Sequence, residues 1–137
     1  YIQLIACEGY NDTRRLQIEE LVNDYKWLAK ETEAVVVLAS QLNRYIERGG
    51  KGRGKSLEPQ LSDLAESGAI EQVAENVFFS YYDYKVTGEA GKGKNVITLI
   101  ASKVRYGNSG SVDLGYEGNQ CKLYNSVEEI INDKMPF

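Results

Sequence analysis

The residues of this sequence best suited to phosphate chemistry are its glycines and cations. Gly49-Gly50-Lys51-Gly52-Arg53-Gly54-Lys55-Ser56 satisfies the pattern G-x-x-x-x-G-K-[ST] at every position. In that spacing backbone N–H groups cradle phosphates while Lys and Ser meet phosphate oxygens and magnesium. The chemistry also needs a context: a buried strand must enter the loop directly and a helix must leave it, because the helix N-terminus supplies the N–H groups and the dipole. Here the polar stretch Gln41 to Arg48 separates the preceding apolar run from the first glycine, and Pro59 follows Ser56 with no long apolar stripe behind it. Proline is tolerated in a first helical turn, so the missing strand does most of the excluding. A run built almost wholly of Gly, Lys and Arg also meets such a pattern easily by chance. We read it as a basic loop, not a nucleotide site.

Two other constellations are better placed. Gln41 ends the run Ala34-Val35-Val36-Val37-Leu38-Ala39-Ser40, and in open α/β sheets ligands bind beyond the carboxyl ends of the strands. Its amide donates and accepts, so it can hold a phosphate or a water; the plainer alternative is an amide capping a turn. Lys103 and Arg105 are two apart on an expected strand, which puts both on one face just before a turn at Gly107. Two adjacent cations repel unless an anion joins them, as in an arginine finger with a supporting lysine. The competing reading is a solvated edge strand whose charges guard against aggregation.

Composition narrows the field. Histidine is absent, which removes Ser-His-Asp and Cys-His catalysis and the commonest metal ligand. The net charge of -4 argues against a protein that coats nucleic acid over its whole surface, so any such contact must be local. Charge is uneven: in residues 44–55 Arg44, Arg48, Lys51, Arg53 and Lys55 face only Glu47, a local +4 that leaves -8 on the remainder. Cys7 and Cys121 lie far apart and form neither a disulfide framework nor a zinc pair, which points to a reducing, cytoplasmic compartment. The longest apolar run is too short to cross a bilayer.

The positioning elements follow from periodicity. Tyr1-Ile2-Gln3-Leu4-Ile5 reads as a buried strand that begins without a polar lead-in, so the chain is expected to be a fragment. Asp12 or Thr13 is a candidate N-cap for a helix to about Lys30, with Ile18, Leu21, Val22, Tyr25, Leu28 and Ala29 on one face. Residues 34–40 then read as a strand covered on both faces. Ser62 and Ser67 can cap short helical stretches. Residues 76–82, 96–102, 111–116 and 121–124 read as strands joined by glycine-rich turns that favour antiparallel pairing, and residues 126–133 as a last helix. A parallel α/β half therefore runs into an antiparallel meander.

Three segments together resemble DnaB-type replicative DNA helicases: Tyr1-Ile2-Gln3-Leu4-Ile5; Leu38-Ala39-Ser40-Gln41-Leu42-Asn43-Arg44 with Leu61-Ser62-Asp63-Leu64-Ala65-Glu66-Ser67-Gly68-Ala69-Ile70-Glu71-Gln72; and Ser102-Lys103-Val104-Arg105-Tyr106-Gly107. The resemblance spans nearly the whole chain and implies the C-terminal half of a RecA-like phosphate-loop ATPase fold, with residues 1–137 a partial motor domain starting just after the Walker B aspartate. It implies ATP and Mg2+ as cofactors, their phosphate loop and metal ligands lying upstream. Gln41 becomes a phosphate sensor, and Lys103 and Arg105 a finger acting on a neighbouring subunit's ATP. Glu66, Ser67 and Gly68 become contacts to single-stranded DNA, with N–H groups at a helix start meeting phosphates, and Arg14 and Arg15 fall near a first DNA-facing loop. A homo-hexamer, a primase and a helicase loader are the implied partners. The sequence departs from the family at Ala65, where an arginine is usual; the basic loop 44–55 either compensates for the lost cation or is a flexible solvated insert.

Other readings stay open on the sequence alone. Another RecA-like ring ATPase, a recombinase or clock-type enzyme, shares the fold, although the Leu-Asn-Arg and Ser-Asp-Leu stretches favour the helicase. A non-catalytic DNA-binding or ring-loading module is separated from it by ATPase assay of the full-length protein. A compact kinase using Gly49 to Ser56 predicts ATP binding that is lost on Lys55→Ala.

Overall fold

Apolar residues recur every three or four positions through Ile18, Leu21, Val22 and Tyr25, and this stripe folds as α1, Arg14–Thr32. A computed structural model describes residues 1–5, 13–42, 58–64 and 68–134. The chain divides into two compact units, Tyr1–Arg53 with Gln60–Glu75, and Gly54–Pro59 with Asn76–Phe137. In the first, Ile18 and Val22 are buried against Ile2, and Ile5, Leu21, Ile70 and Val73 pack around them. Each fully buried aliphatic side chain of this kind contributes about 1.5–3 kcal/mol. Thr13 precedes α1 in extended conformation but makes no side-chain cap; Asp12 lies outside the described residues. α1 closes when Glu33 turns left-handed (φ 52°) and the Ala34 N–H reaches back to the Ala29 carbonyl at 3.1 Å, two residues later than expected.

The two strands expected around α1 take other forms. Ile2–Leu4 is a 3-10 turn, of which Ile2 alone is buried. Residues 34–40 belong to no ladder, and Val35 and Val37 are 91% and 87% exposed. A doubly covered parallel strand needs partners on both edges. Among the described residues no parallel ladder forms: the Ile2 N–H donates to the Ala39 carbonyl at 2.8 Å, and Leu42 makes an isolated antiparallel bridge to Leu64.

A 3-10 turn at Leu61–Asp63 precedes α2, Gly68–Val73. The turn is closed by Gln60 and Asp63: the Asp63 N–H donates to the Gln60 carbonyl at 2.9 Å and the Gln60 N–H to the Asp63 carboxylate at 2.7 Å. Ser67 lies outside the described residues. α2 packs on α1, and Lys26 donates to the Val73 carbonyl at 3.0 Å while pairing with Glu75 at 2.8 Å. A cation there suits the carbonyl end of a helix.

The second unit is the expected meander. β1 (Asn76–Tyr81), β2 (Val96–Val104), β3 (Gly110–Glu117) and β4 (Lys122–Tyr124) pair antiparallel in sequence order. Val77, Phe79 and Tyr81 are buried and alternate with exposed neighbours along β1. α3, Tyr84–Thr87, lies in the β1–β2 connection, and α4, Val127–Lys134, packs on β3. Among the described residues no helix is long and apolar enough to cross a membrane.

The register places Tyr81, Thr98 and Asp113 side by side across three strands. Thr98, 1% exposed, donates to Asp113 at 2.7 Å, and Lys92 donates to both, at 3.0 Å and 2.6 Å. Asp83 accepts from the Tyr81 hydroxyl at 2.9 Å and from the Lys92 N–H at 2.9 Å, which pins the β1–β2 connection to the sheet. The Lys92 N–H is the main cause that holds the Asp83 carboxyl below its ordinary value, and the Lys92 ammonium does the same for Asp113. Burial, then the bond to Asp83, pushes Tyr81 up to about 12.

Candidate functional site

Gln41 follows an extended segment and is half-buried. Its backbone N–H donates to Gln3 Oε1 at 3.1 Å, and Gln3 Nε2 donates in turn to Ser40 Oγ at 2.9 Å. The Gln3 amide thus grips the two residues at the end of the segment with its acceptor and its donor. Beyond Gln41, the Leu42–Leu64 bridge joins the end of this segment to the turn that leads toward Glu66, Ser67 and Gly68. Glu66, Ser67 and Ala65 themselves lie outside the described residues, as does the basic segment 44–55 with its Gly49–Ser56 motif.

The two adjacent arginines separate into different tasks. Arg14 donates to the Gln3 carbonyl at 2.7 Å, the Ile5 carbonyl at 3.1 Å and Gln17 Oε1 at 2.8 Å. Those bonds make it a clamp between the first residues and α1. Arg15 is exposed, and a Cβ placed on Gly68 would lie 3.8 Å from its guanidinium. Two residues 53 positions apart, each singled out for contact with DNA, are therefore neighbours at the start of α2.

Lys103 and Arg105 stand at the open end of β2. The strand stops at Val104, so the alternation argument reaches Lys103 and not Arg105, which begins the turn. The ladder is also irregular: Val77 pairs with Lys103 and Phe78 with Ala101, which leaves Ser102 as a bulge. Bulges re-aim the residues that follow them. Arg105 is exposed, its N–H donates to Asn76 Oδ1 at 3.4 Å, and its guanidinium lies 5.8 Å from the centre of the Tyr106 ring. Lys103 is half-buried. The pair is held at a turn next to the first residue of β1, not spread along a regular edge.

Sequence reasoning missed Gln3 and Asn76, as well as the Lys92–Thr98–Asp113 cluster. Gln3 did carry a signal, a lone amide inside an apolar run; the others depend on register, which no local pattern fixes. Tyr81 is buried, Tyr82 meets Tyr116 edge-on at 5.1 Å, and the Tyr82 hydroxyl donates to the Lys94 carbonyl at 3.0 Å.

Taken singly, the amide of Gln41, the ammonium of Lys103 and the guanidinium of Arg105 are each groups of a kind that hydrogen-bonds phosphate oxygens. Among the described residues no group of three or more His, Cys, Asp or Glu side chains lies close enough to hold a metal ion, and we assign no magnesium ligand to them.

Comparisons with known proteins identify the family of the chain. The family model of the DnaB-like helicase C terminal domain matches residues 1–125. The replicative DNA helicase DnaB of Pasteurella multocida is 40% identical over 129 residues, covering 94% of this chain and 26% of that protein. DnaB of Geobacillus stearothermophilus is 36% identical over 137 residues, covering 99% of this chain and 29% of that protein. A solved DnaB-like replicative helicase, described together with its interactions with primase, superposes with a TM-score of 0.81 at 35% identity over 90% of this chain and 29% of its own. A second solved chain, described as an ATPase domain, gives the same TM-score and identity over 91% of this chain and 42% of its own. The chain spans about a quarter of the length of the curated relatives it matches. Its α/β architecture is that of the RecA-like ATPase domains of this group, and it belongs to the DnaB-like helicase C-terminal domain family.

Proposed function

We propose that residues 1–137 form part of one motor domain of a ring-shaped replicative helicase, which hydrolyses ATP to move along single-stranded DNA and unwind the duplex ahead. The observation that carries this reading is the placement of Lys103 and Arg105 where β2 runs out into a turn, in a chain of this family. Magnesium-bound ATP supplies the energy, through transfer of its terminal phosphoryl group to water. Gln41 orients that phosphate or the water through its amide, within its own subunit. Lys103 and Arg105 reach the ATP of the next subunit in a homo-hexamer, where their charge balances the negative charge that builds up during transfer. Arg15, with Glu66, Ser67 and Gly68, faces the DNA backbone in the ring's channel, and the adjacency of Arg15 to Gly68 supports that assignment. Arg15 can then offset the cation missing at Ala65. Primase and a helicase loader are the further partners, and the cytoplasm is the compartment.

The test is Arg105→Ala in the full-length protein. Nucleotide binding stays near the parent value while turnover falls by about 10³-fold or more, as for other arginine fingers. Mixing this variant with a subunit that carries an intact finger but a dead phosphate loop restores part of the activity, because the two meet across an interface. Normal turnover in Arg105→Ala removes the assignment.

A further inference from the structure

Three hydrogen bonds converge on Gln3 within the first unit. Its Oε1 accepts from the Gln41 N–H (3.1 Å), its Nε2 donates to Ser40 Oγ (2.9 Å), and its backbone carbonyl accepts from Arg14 (2.7 Å). Arg14 also holds the Ile5 carbonyl and Gln17, so the same guanidinium fixes the first turn of α1 and the residues around Gln3. The next residue, Arg15, lies beside Gly68. Residues 34–40 have no ladder among the described residues; the end that presents Gln41 is held by the Ile2–Ala39 bond, the Leu42–Leu64 bridge and the Gln3 amide.

We propose that Gln3 is a positioning residue that ties Gln41 to the start of α1. This rests on the reading of Gln41 as phosphate sensor. A side-chain amide can make both bonds at once because one end donates and the other accepts. A displacement of Gln41 therefore pulls on Gln3, and through the Gln3 carbonyl on Arg14 and the first turn of α1, the turn that carries Arg15. Contiguous hydrogen-bonded chains of this kind are one physical route by which two sites influence each other.

The experiment uses the full-length ring, with ATPase measured as kcat and KM, with and without oligothymidylate. Gln3→Met keeps the length of the side chain and removes both bonds. It lowers kcat by about tenfold, the scale of two neutral hydrogen bonds, with KM changed less than about twofold, and its stimulation by oligothymidylate falls toward none. Ser40→Ala, a milder change that folds if Gln3→Met does not, lowers kcat by about threefold. In a Gln41→Ala background Gln3→Met adds no further loss, because residues acting through one another are not additive. Multiplicative losses in the double variant, or unchanged DNA stimulation in Gln3→Met, overturn the proposal. Normal turnover in Gln3→Met beside impaired turnover in Gln41→Ala overturns it alone, whereas normal turnover in Gln41→Ala overturns the sensor reading as well.

Discussion

Gly115 lies where β3 passes under the segment that opens α4. A Cβ there would sit 2.3 Å from the Ser126 carbonyl oxygen and 2.8 Å from the Ser126 carbonyl carbon, and 3.2 Å from Ile130 Cδ1. That is about 1 Å inside ordinary contact distance, and because the obstacle is backbone no rotamer change relieves it. Gly115→Ala must therefore lift α4 from the sheet. Overpacking costs about 1–3 kcal/mol, and Ile130, buried in the parent, loses part of a burial contribution of about 1.5–3 kcal/mol. A local loss of about 3 kcal/mol corresponds to roughly a hundredfold drop in hydrogen-exchange protection. Gly110, in the same strand, is the control: nothing lies within 4 Å of its Cβ position, so Gly110→Ala changes stability by less than about 1 kcal/mol. The assay is hydrogen exchange of residues 122–134 in the full-length protein. Equal protection in the two variants would refute the steric reasoning.

The arginine pair gives a contrast. Arg15→Ala weakens single-stranded DNA binding and lowers the salt slope by about 0.7, the amount for one phosphate no longer neutralised, whereas Arg14→Ala leaves the slope intact and lowers the melting temperature; titrations at several salt concentrations that reverse this pattern reject the division of labour. Folded-state pKa values of Asp83 and Asp113 lie below their ordinary 3.8, so what these carboxylates add to stability is complete above that value and is lost as pH falls through the depressed ones. Asp113→Asn is thus less stable than the parent at neutral pH, and the gap closes in denaturant melts below about pH 3.8; a gap independent of pH contradicts the Lys92 pairing. Tyr81, raised to about 12 from 10.0, adds stability below pH 10 that is lost as pH rises through 12, and a Tyr81→Phe variant lacks that alkaline step in the same melts.

What could be read from the sequence divides along the chain. α1 and the four antiparallel strands were legible because their signals are local: an apolar stripe for α1, and β-branched or aromatic runs broken by glycine turns for the meander. Tyr1 to Ile5 and residues 34–40 carry strand signals too, yet strand formation depends on backbone partners, and among the described residues one backbone bond, Ile2 to Ala39, joins these segments. Lys103, Arg105, Gln41 and Gly68 were found through motif resemblance, and their geometry adds neighbours that no spacing rule names. Gln3 grips Gln41 from 38 residues away, Asn76 meets Arg105 from 29, and Arg15 lies beside Gly68.

The skipped position in the β1–β2 ladder also bears on how this strand can change in length. Phe78 pairs with Ala101 and Val77 with Lys103, so removing Ser102 would leave every pairing on either side as it is. Elsewhere in β2 a deleted residue would turn the rest of the strand over, exchanging buried and exposed faces. Ser102 is thus a point at which evolution or an engineer can change the twist feeding the Lys103–Arg105 turn without re-registering the sheet behind it.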